Sequence, residues 1–179
     1  MSVRSINVVI KPRHFFPWVK QKIQVDGQDT FNVKRSYSPL YSYTQIEQAD
    51  IHSSVVKIER SLLKRSVCQV STPGRTYKVR KISYWQWECR CDNETIMVNR
   101  LGGIKCVLSK EGRQQAIMSL GSNMPFVKDK NTYIRVNCDE YLHIAMAAAL
   151  VINGFGINAS PLMLNNSNEL SPMRTVEIA

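Results

Sequence analysis

The chain has 179 residues, 44% of them hydrophobic, and carries 24 Lys+Arg against 14 Asp+Glu for a formal net charge of +10. This length suits one domain with a substantial core, and the composition is ordinary for a soluble globular protein. Residues 1–90 hold 16 Lys+Arg against 6 Asp+Glu while residues 91–179 hold 8 against 8, so the excess that draws phosphate-bearing partners lies in one half of the chain.

Ser5–Lys11 reads as a strand, and Pro12 and Pro17 bracket a turn-rich segment whose Phe15, Phe16 and Trp18 are suited to covering one barrel end. Lys22–Val25 and Thr30–Lys34 alternate around Asp26-Gly27, a dipeptide that accepts the positive φ angles of a tight hairpin turn. The stretch SYSPLYSYTQIEQAD, with Pro39 and alternating tyrosines, reads as an irregular edge or loop leading into a strand. Ser53–Glu59 and Val67–Ser71 are predicted to form a twisted hairpin across RSLLKR. After the turn Thr72-Pro73-Gly74, the alternation across Arg75–Arg90 predicts a strand. Further strands follow at Thr95–Asn99, Lys105–Ser109, Gln114–Ser119 and Thr132–Val136, separated by Asp92-Asn93, Gly102-Gly103, Glu111-Gly112 and Asp129–Asn131.

The run DEYLHIAMAAALVINGFG then switches from strand to helix. Four alanines give it high helix propensity, Asn137 and Asp139 are candidate N-caps, and Asn153-Gly154 marks the expected stop, placing the helix at about 139–153. It is apolar almost all round and must be enclosed on every side. Its strictly apolar part, Leu142–Ile152, covers only about 16 Å, roughly half a hydrocarbon core, so protein rather than lipid is the expected enclosure. A flat sheet covers one side only, so the strands are expected to curve around the helix. Residues 158–179 read as a polar tail.

Chemistry-bearing motifs are sparse. Lys11, Arg13, Lys20 and Lys22 interrupt any leader-like apolar run, which makes a cytoplasmic protein the expectation. Cys68, Cys89, Cys91, Cys106 and Cys138 form an odd, scattered set that fits reduced thiols, and Cys89-Arg-Cys91 is too close-spaced for zinc. His14, His52 and His143 accompany no nucleophile motif, and no glycine-rich phosphate loop opens a helix, so neither an enzyme nor a cofactor is expected. The densest basic cluster is Arg75, Lys78, Arg80 and Lys81 with Lys64 and Arg65 before it. Lys78 and Arg80 share a strand face there, which suits a phosphorylated headgroup, the plain alternative being a solvated strand face. Trp85 and Trp87 nearby are read as filling the barrel interior, with membrane anchoring as the other possibility.

The hairpins of D-G type, the strand TYIRV, the turn NCDE and the helix YLHIAMAAALVING together resemble the tubby C-terminal-like superfamily, which includes tubby-like proteins, phospholipid scramblases and LURP-one-related proteins. The resemblance covers roughly residues 5–157 and is densest over Asn131–Gly154. It implies a mainly β fold, a closed antiparallel barrel of about a dozen strands around a C-terminal helix. For tubby-type members it also implies phosphoinositide binding by basic residues on outer strands, to which Lys78, Arg80 and Lys81 are similar in character. The acidic stretch proposed for calcium in scramblases is represented only by Asp129, Asp139 and Glu140, with Arg135 among them. A calcium ion takes about six to eight oxygen ligands, so no metal dependence is expected.

The expected protein is thus a barrel over 1–157 followed by a tail over 158–179, binding anionic phospholipid or phosphoinositide peripherally at a membrane without enzymatic activity. A protein–protein scaffold is the alternative, and a nucleic-acid-binding barrel stands third. Exposed tryptophan between Lys and Arg would favour nucleic acid, and a large exposed apolar patch would favour a protein partner.

Overall fold

Alternation of buried and exposed residues builds a wall whose inner face is mainly aliphatic. The computed structural model describes residues 5–13, 20–64, 66–92, 94–102, 104–121 and 130–157, the last four by backbone alone. The strands are β1 (Ile6–Ile10), β2 (Gln21–Val25), β3 (Gln28–Tyr37), β4 (Tyr41–Gln48), β5 (Ser54–Ser61) and β6 (Val67–Thr72). They continue as β7 (Arg75–Ser83), β8 (Gln86–Cys91), β9 (Glu94–Gly102), β10 (Lys105–Lys110), β11 (Arg113–Ser119) and β12 (Thr132–Val136). Each pairs antiparallel with its chain neighbour, and β1 also pairs with β12, setting Val8 opposite Ile134, so the meander closes into a barrel. Closure leaves these twelve strands without an open edge.

Inside runs the helix. A 3₁₀ turn at Asp139–Tyr141 leads into α1 (Leu142–Ile157). Ile144 and the run Ala145–Ala149 are buried, and the small alanines let the strand wall approach closely. Fully buried Met146 and Ile144 each contribute about 1.5–3 kcal/mol through burial. Register is fixed by this core, because a slip of one residue would turn every inward aliphatic outward. Among the described residues no helix is long and apolar enough to cross a membrane.

Successive strands alternate in direction, so successive turns fall at opposite ends of the barrel. The turns after β2, β4, β6, β8 and β10 share the end where α1 enters. Those after β1, β3, β5, β7, β9 and β11 share the end where it leaves. At the entry end Asp26 and Gly27 both have positive φ, as do Glu111 and Gly112, which matches the right-handed twist of hairpin strands. At the exit end a Cβ on Gly121 would collide with the Lys130 carbonyl oxygen, so only glycine lets these two segments approach.

Several expectations are corrected. Residues 41–48 form a regular strand, not an irregular edge, because Tyr41–Gln48 pairs along its length with β3 and β5. The stretch 75–90 is two strands, broken at Tyr84-Trp85, where the Trp85 amide donates to Ser83 Oγ at 3.2 Å and replaces a Gly or Pro signal. Of the two, Trp87 fills the interior, while Trp85 sits 54% exposed in the turn. Neither expected N-cap operates. Cys138 occupies the cap position without a side-chain bond, and Asn137 Nδ2 instead donates to the Gln114 carbonyl at 2.9 Å. The helix also runs on to Ile157, past Asn153-Gly154, since a helical glycine costs only about 1 kcal/mol and Asn153 Nδ2 bonds Thr132 Oγ1 at 3.0 Å instead of capping. The Phe15-Phe16-Trp18 segment, His14, Asp129 and the tail 158–179 lie outside the described residues.

Candidate functional site

The basic residues singled out by sequence do not converge. Arg75 and Lys81 stand at opposite ends of β7, about 20 Å apart along the strand. Arg75 is committed to the entry end, its Nη1 lying 2.7 Å from Glu94 Oε2 and its Nη2 3.0 Å from Glu140 Oε1. Lys78 and Arg80 share the outer face of β7 as expected, but Arg80 Nη2 lies 3.2 Å from Glu88, which also holds Arg90 at 3.1 Å. Lys64 and Lys78 border a shallow outer hollow together with Arg90, and Glu59 and Asp92 line the same hollow. Lys81 Nζ lies over the Tyr84 and Trp87 rings at 5.8 and 6.0 Å. Arg65 lies outside the described residues.

The entry end closes on its own charges. Glu94 receives Lys110 Nζ at 2.8 Å as well as Arg75, and Tyr77 Oη donates to it at 3.3 Å. Burial alone would raise the Glu94 carboxyl, but the Lys110 hydrogen bond and the charges of Arg75 and Lys110 outweigh it and hold it below its ordinary value. Asp26, Asp29, Asp50, Asp92, Glu111 and Asp139 also gather at this end.

The exit end carries the opposite chemistry. A cavity of about 360 Å³ opens there between α1 and the strands β1 to β5 and β12, within the size range of small-molecule sites. Alternation turns Arg35 of β3 and Arg60 of β5 inward at this mouth, and Lys11, Arg13 and Lys130 border it. No Asp or Glu is among its described lining residues. Between the two arginines runs β4, whose Thr44 is opposite Arg35 and whose Ser42 is opposite Arg60. Gln21 positions Arg35, accepting from its Nη2 at 2.6 Å while donating to the Lys11 carbonyl at 2.7 Å. Arg60 Nη2 reaches the Val151 carbonyl of α1 at 3.4 Å. Burial lowers the affinity of both guanidinium groups for their proton, and for Arg35 the charge of Arg13 adds to it. An anion would relieve that cost.

Around the mouth the turns end in apolar side chains. Leu63 is 80% exposed and Leu101 68%, joined by Leu40, Leu62, Ile104, Tyr84 and Trp85. Arg100 lies against this rim, its guanidinium 4.9 Å from the Tyr84 ring centroid. Sequence reasoning missed Arg35 and Arg60 because each is the single basic residue on its strand's inward face, Lys34 and Lys57 facing outward beside them, so no local cluster marks either one. The available signal was parity: both arginines occupy inward positions near strand ends that share one barrel mouth.

Comparison with protein-family models, with curated proteins and with solved structures finds no match to this chain.

Proposed function

We propose that the protein is a non-enzymatic module that docks its exit end onto membranes carrying anionic phospholipid, phosphoinositides included. The observation that carries this reading is the segregation of surface chemistry: apolar turn tips share one end with a cation-lined cavity that has no Asp or Glu among its described lining residues, while most of the described carboxylates lie toward the other. Exposed Leu, Tyr and Trp tips suit the headgroup boundary, and each Lys or Arg near an anionic surface adds about 1 kcal/mol. The barrel threaded by its C-terminal helix has the layout that the tubby-like resemblance implies, which supports the reading at the level of fold analogy.

A nucleic-acid reading draws on exposed Tyr84 and Trp85 beside Lys81 and Arg100, a pairing suited to base stacking. Lipid is favoured because Leu40, Leu62, Leu63, Leu101 and Ile104 offer no face for a base. The test is co-sedimentation with phosphatidylserine or phosphoinositide vesicles at physiological salt, with an RNA competitor. Wild type is expected to sediment, and the Leu63→Asp/Trp85→Asp variant to remain in solution. Equal sedimentation of both, or displacement by RNA, would overturn the reading.

A further inference from the structure

The cavity at the exit end opens inside the apolar rim and is lined mainly by other residues. Arg35 and Arg60 project inward from strands on either side of β4, and Thr44 and Ser42 stand between them in register. An arginine fork on each side of two hydroxyl-bearing residues supplies the planar, charge-assisted donors that a tetrahedral oxyanion needs. Thr132 and Asn153, already bonded to each other, add polar lining, while Ile10, Ile58 and Leu150 supply apolar lining. Lys11, Arg13 and Lys130 border the entrance, and no Asp or Glu is among the described residues that line it.

We propose that this cavity binds the phosphate group of a small polar phosphate ester, held between Arg35 and Arg60 over Ser42 and Thr44. The ester has two chemical sources, a lipid headgroup or a free solute. The lipid source rests on the membrane-docking reading, whereas the solute source does not. Binding is electrostatic and hydrogen-bonded, with no bond made or broken. Its volume admits a headgroup or sugar-sized body beside the phosphate.

Calorimetric titration of the full chain with inorganic phosphate, glycerol phosphate and inositol trisphosphate tests the site. At least one ester is expected to bind saturably at physiological salt, with roughly tenfold or greater weakening in Arg35→Gln and Arg60→Gln, the loss expected of a charge-assisted bond. Arg60→Lys keeps the charge but loses the fork, and intermediate affinity is expected. An outer-face Lys57→Gln control should bind like wild type. Thermal melts identify any variant that fails to fold, and Ser42→Asp then blocks the same cradle without removing an arginine. Absence of binding by all three titrants, or equal affinity in the cavity variants, overturns the inference.

Vesicle co-sedimentation separates the sources. If a bound ester releases the protein from phosphoinositide vesicles, the occupant is a headgroup. If it binds without competing, the occupant is a free solute. If vesicles bind through the rim while no ester enters the cavity, this inference fails and membrane docking stands.

Discussion

The two ends of the barrel are made by the same device, inward-facing charged residues near strand termini, yet they reach opposite electrostatic states. At the entry end Arg75, Glu94, Lys110 and Glu140 satisfy one another within 2.7–3.0 Å and fasten the start of the helix to the wall. At the exit end Arg35 donates to Gln21 and Arg60 to the Val151 carbonyl, around a cavity with no Asp or Glu among its described lining residues. Charges that neutralise each other within the fold serve stability. Cations gathered around a mouth with no carboxylate among its described lining residues favour an anion supplied from outside the fold.

The largest expected effect falls on the helix that joins the two ends. Ala147 is fully buried, and Ala147→Asp places an unpartnered carboxylate inside the barrel. A loss of roughly 4 kcal/mol or more, enough to unfold the domain, is expected in chemical denaturation. A wild-type melting curve would refute enclosure of the helix and with it the distinction between ends.

Removing one charge from each end sharpens the contrast. Glu94→Ala leaves Arg75 and Lys110 without their shared carboxylate and should lower stability by about 1–2 kcal/mol, moderated by partial exposure of the group. Lys130→Gln should leave stability within about 0.5 kcal/mol of wild type while weakening vesicle binding. Equal destabilisation by both variants would erase the difference.

Acidification acts on the barrel in one direction. Burial lowers the His143 pKa below its ordinary 6.5, its ring lying edge-on to Phe31 at 6.3 Å, so the unfolded chain takes up this proton first. Stability is therefore retained above pH 6.5 and falls as the pH drops below it, until His143 itself titrates. Glu94, held below its ordinary 4.5, keeps its contribution above that value and loses it as the pH falls through its depressed pKa. Denaturation followed from pH 7 to 2 should thus show two successive losses, the second reduced in Glu94→Ala. A flat profile would remove both assignments.

Much of the barrel was legible because alternation and D-G turns are local signals. Tyr77 and Val79 declare an inward face, and Asp26-Gly27 declares a hairpin, without knowledge of the rest. Tyr84-Trp85 hid a turn because its stabilising bond comes from the Ser83 side chain. The candidate site was illegible for a different reason. Dividing the charge between halves of the chain follows the wrong axis, since every hairpin visits both ends of a meander. Sorting the turns alternately places Leu40, Leu63, Trp85 and Leu101 together and Asp26, Asp50, Asp92 and Glu111 opposite them. That sorting needs only the strand count, which the split at Tyr84 and the unrecognised β4 had obscured.

The smallest expected effect lies on the outer wall between the ends. Arg80 already shares Glu88 with Arg90, and Lys78 stands across from Arg90 beside a hollow lined by Glu59 and Asp92. Exposed pairs of this kind contribute about 0–1 kcal/mol, and their field is compensated locally. Lys78→Gln/Arg80→Gln should therefore leave the melting temperature and vesicle binding close to wild type, whereas Arg13→Gln/Lys130→Gln should weaken binding measurably at the same net charge. The two variants each remove two positive charges, so a general surface field would weaken both alike. A larger loss from Lys78 and Arg80 would move the membrane contact to the wall of the barrel, onto the strand face that sequence alone had favoured.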